Sequence, residues 1–568
     1  MQKITQWFPV LGQLANYSKD KWVSDVIAAV VVTVMLIPQS LAYAILAGLP
    51  PHYGLYASII PIVVYSLLGS STSLAVGPVA IASIMTASAL SSVVSTGLTT
   101  YVDGAITLAF LSGAMLFLLG IFRFGFVANF LSHSVISGFI TASGLIIAVG
   151  QLKHLMGVSV SGHTFFELAG DLIQSISGIN AATAALGASC LLFLVVARQF
   201  AARWLSMLGL SKNMASTVAR LSPIVAVCIS TTVVAVWSLD QLGVAIVGDI
   251  PAGIADSKVP AITREAVEAL LLPAFFIAII GYVESISVGR TLGAKKGEKV
   301  DSNQELIALG GANLASAAAG AFPVTGGFSR SVVNFDAGAK TQLAGIYTAI
   351  GIAIASMVLT PYLYYLPIAM LAATIVVAVL ALVDLSVLKQ AWRFSKSDFT
   401  AVFLTIAITL SAGVEAGVAS GIIASVLLHL YHTSKPHIAE IGLIAGTEHF
   451  RNVKHYNVEV APQSVSLRID ESLLFSNANY LEEFISEVVR ERPNVKNVIL
   501  HCGAVNTIDL TAMEMLEKLN ADLLKNGIKL HLSEVKIPVK SLLERAHFLP
   551  KLGGQLYMSH LQAFADNR

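Results

Sequence analysis

Long apolar runs, broken at intervals by Gly, Pro and short clusters of charge, dominate residues 24–433. A membrane span needs about 20 predominantly apolar residues, fewer where it is broken or enclosed by protein. On that measure a first series of segments lies near 24–47, 54–69, 77–92, 103–121, 127–150, 180–199 and 221–238. A second series follows near 265–290, 304–321, 328–338, 341–360, 366–383, 398–413 and 416–433. Each series holds about seven segments, and the third of each starts at a Gly-rich or Gly-Pro break. An odd number of crossings per half gives the halves opposite orientations, so the pattern predicts an inverted repeat, about 24–238 and 265–433, within a domain spanning 1–433. Beyond Leu430 the chain turns polar. Residues 434–455 read as a linker, and 456–568 alternate between strands (465–469, 497–501, 529–533) and helices (478–489, 511–525), which predicts a small α/β domain.

Composition agrees with two unlike parts. The 568 residues are 55% hydrophobic and 12% charged, with a mean hydropathy of +0.75, against about 25% charged residues in soluble domains. A net charge of +1 gives no support for a nucleic-acid partner. Cys190, Cys228 and Cys502 have neither pairing nor metal-ligand spacing, so no disulfide, metal or cofactor is expected. The first apolar run follows a polar, aromatic stretch without a small-residue cleavage site and reads as a retained span. The loops on one side gather Lys19, Lys21, Arg123, Arg198, Arg203, Lys212, Arg220, Arg290, Lys295, Lys296, Lys340, Lys389, Arg393 and Lys396. Those on the other side hold Lys153, Lys258 and Arg264 among acids such as Asp240, Asp249 and Asp256. The positive-inside rule then places both termini in the cytoplasm.

The two breaks carry the chemistry. Ser73-Leu-Ala-Val-Gly-Pro-Val-Ala80 and Phe322-Pro-Val-Thr-Gly-Gly-Phe-Ser-Arg-Ser331 each open a short apolar segment. Interrupted segments at corresponding positions of two halves mark a transporter's substrate site, and the positive ends of two helices favour an anion. Arg330 adds a full charge. Charge at mid-membrane costs about 2.5–3.5 kcal/mol on insertion scales, so it faces the interior or a pathway; the structural alternative is an acid partner. Pro78 suits a first helical position, leaving the amides of Val79, Ala80 and Ile81 to face a ligand together with Ser329. Inside the first span Pro38 frees a carbonyl, and Gln39 and Tyr43 share a face four residues apart; they serve a central site or bond neighbouring helices. Glu284, with Ser287 on its face, lies in an apolar run. A carboxylate withdrawn from water favours its protonated form, so Glu284 is a candidate proton-coupling group, with a structural pairing to Arg290 or Arg330 as the alternative and sodium as the less favoured ion. In the polar part, Asp509 and Thr511 read as helix caps, with phosphorylation of Thr511 the functional alternative. Among enzyme signatures, no nucleophile constellation, metal cluster or nucleotide-binding loop stands out, so an enzyme is not expected.

Together Ile37-Pro-Gln-Ser-Leu-Ala-Tyr-Ala44, Pro50-Pro-His-Tyr-Gly-Leu-Tyr-Ala57, Val76-Gly-Pro-Val-Ala80 and the stretch from Gly326 to Lys340-Thr-Gln-Leu-Ala-Gly345 resemble the SulP (sulfate permease) family, which includes pendrin and prestin. The C-terminal domain is similar to a STAS domain. The resemblance implies fourteen membrane segments in two inverted seven-segment repeats. It also implies a core bundle that holds the anion between two half-helices, a gate bundle that forms homodimer contacts or scaffolds movement, and elevator-like transport. Gln39, Tyr43, Val79, Ser329 and Arg330 fall at family substrate positions, and Glu284 at the position of an acid linked to cation coupling. Val79 stands where the family often has Phe, which implies a wider pocket. The STAS portion lacks a long insertion of the animal type, which suits a bacterial inner-membrane protein with a cytoplasmic protein partner for that domain. The expected function is secondary transport of sulfate or a related oxyanion with protons. Sodium- or proton-coupled transport of bicarbonate or a dicarboxylate is the nearest alternative, and an anion-responsive sensor signalling through the STAS domain is the alternative of a different class. A nucleobase carrier of similar architecture fits poorly with Arg330 and a STAS domain.

Overall fold

The computed structural model describes residues 7–14, 17–130, 133–160, 162, 164–209, 211, 215, 218, 219, 221–249 and 263–568. Of the loop charges above, Lys212, Arg220, Asp256 and Lys258 lie outside the described residues. The chain divides into two compact units, Met1–Ser425 and Val426–Arg568.

The first unit is helical. Its first half runs through α1 (Pro9–Leu14), α2 (Lys19–Leu46), α3 (His52–Tyr56), α4 (Ile60–Leu68), strand β1 (Val76–Gly77), α5 (Ala80–Ser95), α6 (Tyr101–Ile121), α7 (His133–Met156), α8 (Phe165–Gln174), α9 (Ala181–Met207) and α10 (Ser222–Trp237). The second half runs through α11 (Arg264–Lys296), α12 (Ser302–Ala318), strand β2 (Thr325–Gly326), α13 (Phe328–Asp336), α14 (Leu343–Val358), α15 (Ile368–Leu380), α16 (Ser386–Phe394), α17 (Lys396–Ala412) and α18 (Val414–Ser434). Among the described residues, six helices are long and apolar enough to cross a membrane, and further shorter apolar helices accompany them. Each predicted segment overlaps at least one of the helices α2 to α18, with 304–321, 328–338 and 398–413 on helices outside that apolar set. The second segment is split into α3 and α4, because Ser58 turns back to bond Gly54 O and Pro61 starts a new helix. Helices α1, α8 and α16 lie outside the predicted segments, since each is too short and too mixed in polarity to register as a span.

Side chains in this unit form two large apolar clusters. One joins α5, α6, α11 and α12 through Leu90, Leu108, Tyr282 and Leu309. The other joins α2, α9, α10 and α15 through Leu36, Leu194, Val234 and Met370. Helices α6 and α12 approach closely, because a Cβ at Gly113 would lie 2.7 Å from Leu314 N and one at Gly310 2.4 Å from Phe117 N. Small residues let apolar helices pack at the short range that van der Waals association in a bilayer requires.

Two buried carboxylates tie the halves together. Asp25 on α2 accepts from Lys340 N (2.6 Å), Thr341 N (3.0 Å), Thr341 Oγ1 (2.6 Å) and Tyr17 Oη (3.1 Å). Glu305 on α12 accepts from Ser70 N (2.7 Å), Ser70 Oγ (2.8 Å), Ser71 N (3.1 Å) and Tyr65 Oη (2.9 Å). Both are fully enclosed, and four donors each satisfy what burial alone would make costly.

The second unit carries a six-stranded sheet in the order β4-β3-β5-β6-β7-β8. Its strands are β3 (Ile438–Leu443), β4 (Phe450–Asn452), β5 (Ser464–Ile469), β6 (Asn497–His501), β7 (Lys529–Ser533) and β8 (Leu556–Tyr557), with helices α19 (Ala478–Glu491), α20 (Leu510–Lys525), α21 (Ile537–Arg545) and α22 (His560–Asp566). Strands β5 to β8 are parallel, and β3 is antiparallel to both β4 and β5. Leu467, Val498, Leu500 and Leu530 of the sheet pack against Leu481 and Leu516 of the helices. Residues 434–455, which read as a linker, supply β3 and β4: β4 has three residues, too short for alternation to show, and the intervening turn uses Gly446 at φ +75°. Asp509 caps α20 by accepting Ala512 N at 2.9 Å and also accepts Phe475 N at 2.6 Å, with Thr511 exposed beside it.

Candidate anion-binding site

The two sequence breaks meet. Val76 pairs with Gly326 and Gly77 with Thr325 in a two-residue antiparallel ladder, extended by Gly327 N bonding Ala75 O at 3.1 Å. Each strand leads directly into a helix: β1 into α5, whose cap is Val79, and β2 into α13, whose cap is Gly327. Neither cap residue supplies a side-chain hydrogen bond to its helix. The first amides of a helix have no partner within it, so both helices present free N–H groups and the positive end of a dipole at the crossing.

Arg330, in the first turn of α13, folds back onto this crossing. Its Nε donates to Ala75 O (3.0 Å), and its Nη2 donates to Gly77 O (2.7 Å) and Thr325 O (2.9 Å). These acceptors come from both breaks, so the guanidinium is clamped in place by main chain alone. Its Nη1 is buried with no hydrogen-bond partner, and among the described residues Arg330 forms no ion pair. The acid partner weighed in the sequence is therefore replaced by carbonyls, which orient the charge without neutralising it. The close approach depends on Gly77, at φ +150°, where a Cβ would lie 2.9 Å from Nη1. It depends equally on Gly327, where a Cβ would lie 2.8 Å from Nε.

A cavity of about 490 Å³, open mouth included, sits over this group, and Gln39, Tyr43, Val79, Ala80, Glu284, Ser329 and Arg330 all line it. These substrate and coupling candidates thus line one cavity, whereas Ser287 bonds Val283 O within its own helix and does not reach it. Gln39 and Tyr43 reach it from α2, one turn apart, and neither bonds a neighbouring helix among the described residues. Ser329 is exposed to the cavity beside Phe328. Glu284 reaches it from α11, with Oε2 buried and without a hydrogen-bond partner. That contrasts with Asp25 and Glu305, whose carboxylates are surrounded by donors. Arg290, the other pairing weighed for Glu284, instead donates to Ser302 Oγ at 2.6 Å.

A wider cavity of about 1390 Å³, open solvent included, shares Gln39, Phe328 and Ser329 with the first and is walled on its far side by α9, α10 and α15. Arg198 lines it, donating Nη1 to Val377 O at 2.8 Å. In the sequence Arg198 registers only as a loop charge. The support of the crossing is likewise invisible there: Ser331 Oγ accepts Ala75 N (2.9 Å), Ser285 Oγ accepts Gly326 N (2.8 Å), and Asn334 Nδ2 donates to Ser73 O (3.2 Å). Lone Ser and Asn residues on apolar helices give no signal that separates a brace from a filler.

The arrangement presents a fixed guanidinium with one free N–H edge and two open helix ends, which is chemistry for holding an anion, with a donor-poor carboxylate facing the same space. Residues 23–405 match the Sulfate permease family and residues 455–563 the STAS domain. A protein of Mycobacterium tuberculosis named as a probable sulfate transporter is 34% identical over 551 residues, covering 96% of this chain and 95% of that protein. An Arabidopsis thaliana protein named probable sulfate transporter 4.2 is 34% identical over 546 residues, covering 94% and 79%. The solved structure of murine solute carrier 26 family member A9, an anion transporter in the inward-facing state, superposes with a TM-score of 0.90 at 25% identity, covering 99% of this chain and 94% of that one. The chain belongs to the sulfate permease family, a family of multi-pass membrane transporters rather than enzymes, and carries that family's helical transmembrane fold with a C-terminal STAS domain.

Proposed function

We propose that this protein carries sulfate or a closely related oxyanion across the membrane together with protons. The observation that carries this is the unpartnered Nη1 of Arg330 in the cavity between two open helix ends. A buried charged donor left unsatisfied costs at least about 1–3 kcal/mol, and a tetrahedral oxyanion accepting from it recovers that cost. The uncapped amides that follow Val79 and Gly327 take further oxygens, and Gln39, Tyr43 and Ser329 supply neutral donors. Glu284 takes up the coupled proton, which offsets part of the anion's charge while both are out of water.

Movement follows from where the wider cavity runs. It runs between residues of α2 and α13 at the site and residues of α9, α10 and α15 opposite, which elsewhere pack with α2 in one apolar cluster. Displacement of the first group against the second in an elevator-like slide closes this mouth and opens another. Arg198 lines this cavity on the side of the basic loops. The positive-inside rule makes that side cytoplasmic, and the likeness to the murine transporter in its inward-facing state supports the same orientation.

The test is radiolabelled sulfate uptake into proteoliposomes with and without an inward proton gradient, with bicarbonate, succinate and sodium as challengers. Gradient-stimulated sulfate uptake is expected. Sodium-dependent uptake of bicarbonate or succinate without a sulfate signal would replace both the substrate and the ion. In the same assay Gly77→Ala is expected to lower uptake roughly tenfold or more, the worth of one charge-assisted hydrogen bond of about 1.5–3 kcal/mol, because the new methyl displaces the guanidinium from Gly77 O. Unchanged uptake at normal membrane expression would show that this close approach is dispensable.

A further inference from the structure

We propose that α16, the short helix after α15, is a docking surface for anionic phospholipid headgroups. Its residues fall into three adjacent rows with spacing i, i+4. Val387 and Ala391 are buried and pack against Ala142, Val402 and Ile406. In the next row Leu388 is partly buried against that cluster and Trp392 turns outward at 61% exposed, with Leu385 beside it 60% exposed. The third row, Lys389 and Arg393, is fully outward and cationic. The apolar row therefore lies between the protein and the basic row.

That order suits a helix lying in the plane of a membrane interface, with apolar side chains entering the acyl boundary and cations at the headgroups. The neighbouring helix continues the apolar plane, with Phe403 52% and Leu404 38% exposed. Trp392 is set edge-on to Phe399 at 4.8 Å between ring centres, which fixes its position at the boundary.

The charges are uncommitted. Among the described residues, Lys389, Arg393 and Lys396 form no ion pair. The acids that face them are Asp384, which accepts Ser386 N at 2.8 Å, and Asp398 at the start of α17. Arg393 shares a groove of about 1020 Å³ with those acids and with Ser134, Ser137 and Gln390. Three cations against two acids leave a net positive patch beside the exposed apolar side chains, and a phosphodiester headgroup is the complementary charge there.

The test uses the full chain in vesicles and reads Trp392 alone, as the fluorescence difference between the native protein and Trp392→Phe. Brominated phosphatidylglycerol and brominated phosphatidylcholine are compared as quenchers at equal mole fraction. The anionic lipid is expected to be enriched at Trp392 about fivefold or more, the equivalent of one basic residue at ~1 kcal/mol. The excess should vanish in Lys389→Gln/Arg393→Gln/Lys396→Gln, and in the unsubstituted helix it should fall as salt rises from low to molar strength. Equal quenching by the two lipids, an excess indifferent to salt, or no quenching by either would overturn the proposal. None of these readings depends on which anion is transported.

Discussion

Arg330→Ala is expected to abolish measurable sulfate uptake while the protein still reaches the membrane. Two effects add. The substitution removes a full positive charge that, alone among the described residues, bonds across both breaks, and each charge-assisted hydrogen bond to an anion is worth about 1.5–3 kcal/mol, so one such bond accounts for a loss of ten- to a hundredfold in affinity. It also frees the carbonyls of Ala75, Gly77 and Thr325, which the guanidinium holds at 2.7–3.0 Å, and so loosens the helix ends that aim their amides at the substrate. Arg330→Lys separates the two. An ammonium keeps the charge but lacks the planar fork that reaches several carbonyls and still offers a donor. If charge alone suffices, the Lys variant retains most uptake. If the clamp matters, it behaves like Ala, which is the expected result. Normal uptake by Arg330→Ala at normal expression would remove this residue from the site.

Glu284→Gln is expected to uncouple transport from the proton gradient. A pH step of one unit is worth about 1.4 kcal/mol per coupled proton, so the native protein should accumulate sulfate about tenfold per unit and per proton. Gln imitates the protonated acid in shape and charge and cannot release its proton. The variant should therefore equilibrate sulfate without accumulating it, and its uptake should be indifferent to an imposed step. A variant that still accumulates substrate in response to the step places the coupling proton elsewhere. Glu305 and Asp25 are poor substitutes for that role, because each already accepts four hydrogen bonds.

Hydropathy is local, and that is why the helices of the first unit were legible. A run such as 103–121 declares itself without knowledge of its neighbours, and α6 occupies nearly the same residues. The site was legible for a related reason. Gly77-Pro78 and Gly326-Gly327 interrupt apolar runs where a helix would otherwise continue, and a charge at position 330 has no comfortable place in a bilayer except the protein interior or a pathway. What could not be read is whatever depends on partners distant in the chain. Thr341 bonds Asp25 across 316 positions and Tyr65 bonds Glu305 across 240. Nothing near Asp25 or Glu305 distinguishes a satisfied acid from an unsatisfied one, so Glu284 stood out in the sequence for its apolar surroundings and not for its lack of donors. The acceptors of Arg330 are main-chain carbonyls, which carry no side-chain signature at all. In the second unit, strands 497–501 and 529–533 are five residues each, largely buried, and read directly, whereas β4 is three residues of an edge hairpin.

Because Arg330 binds Gly77 O across 253 positions, the ribosome completes one side of the crossing long before the other exists. At synthesis rates of about 5–20 residues per second, the delay is roughly 10–50 s. Throughout that interval the newborn first half lies in the bilayer with the Ala75 and Gly77 carbonyls and the open end of α5 lacking the strand that will cover them. Insertion of this protein is thus a problem of waiting: the quality-control machinery must tolerate a half-built polar seam for tens of seconds, and a premature stop codon between the two breaks strands it there permanently.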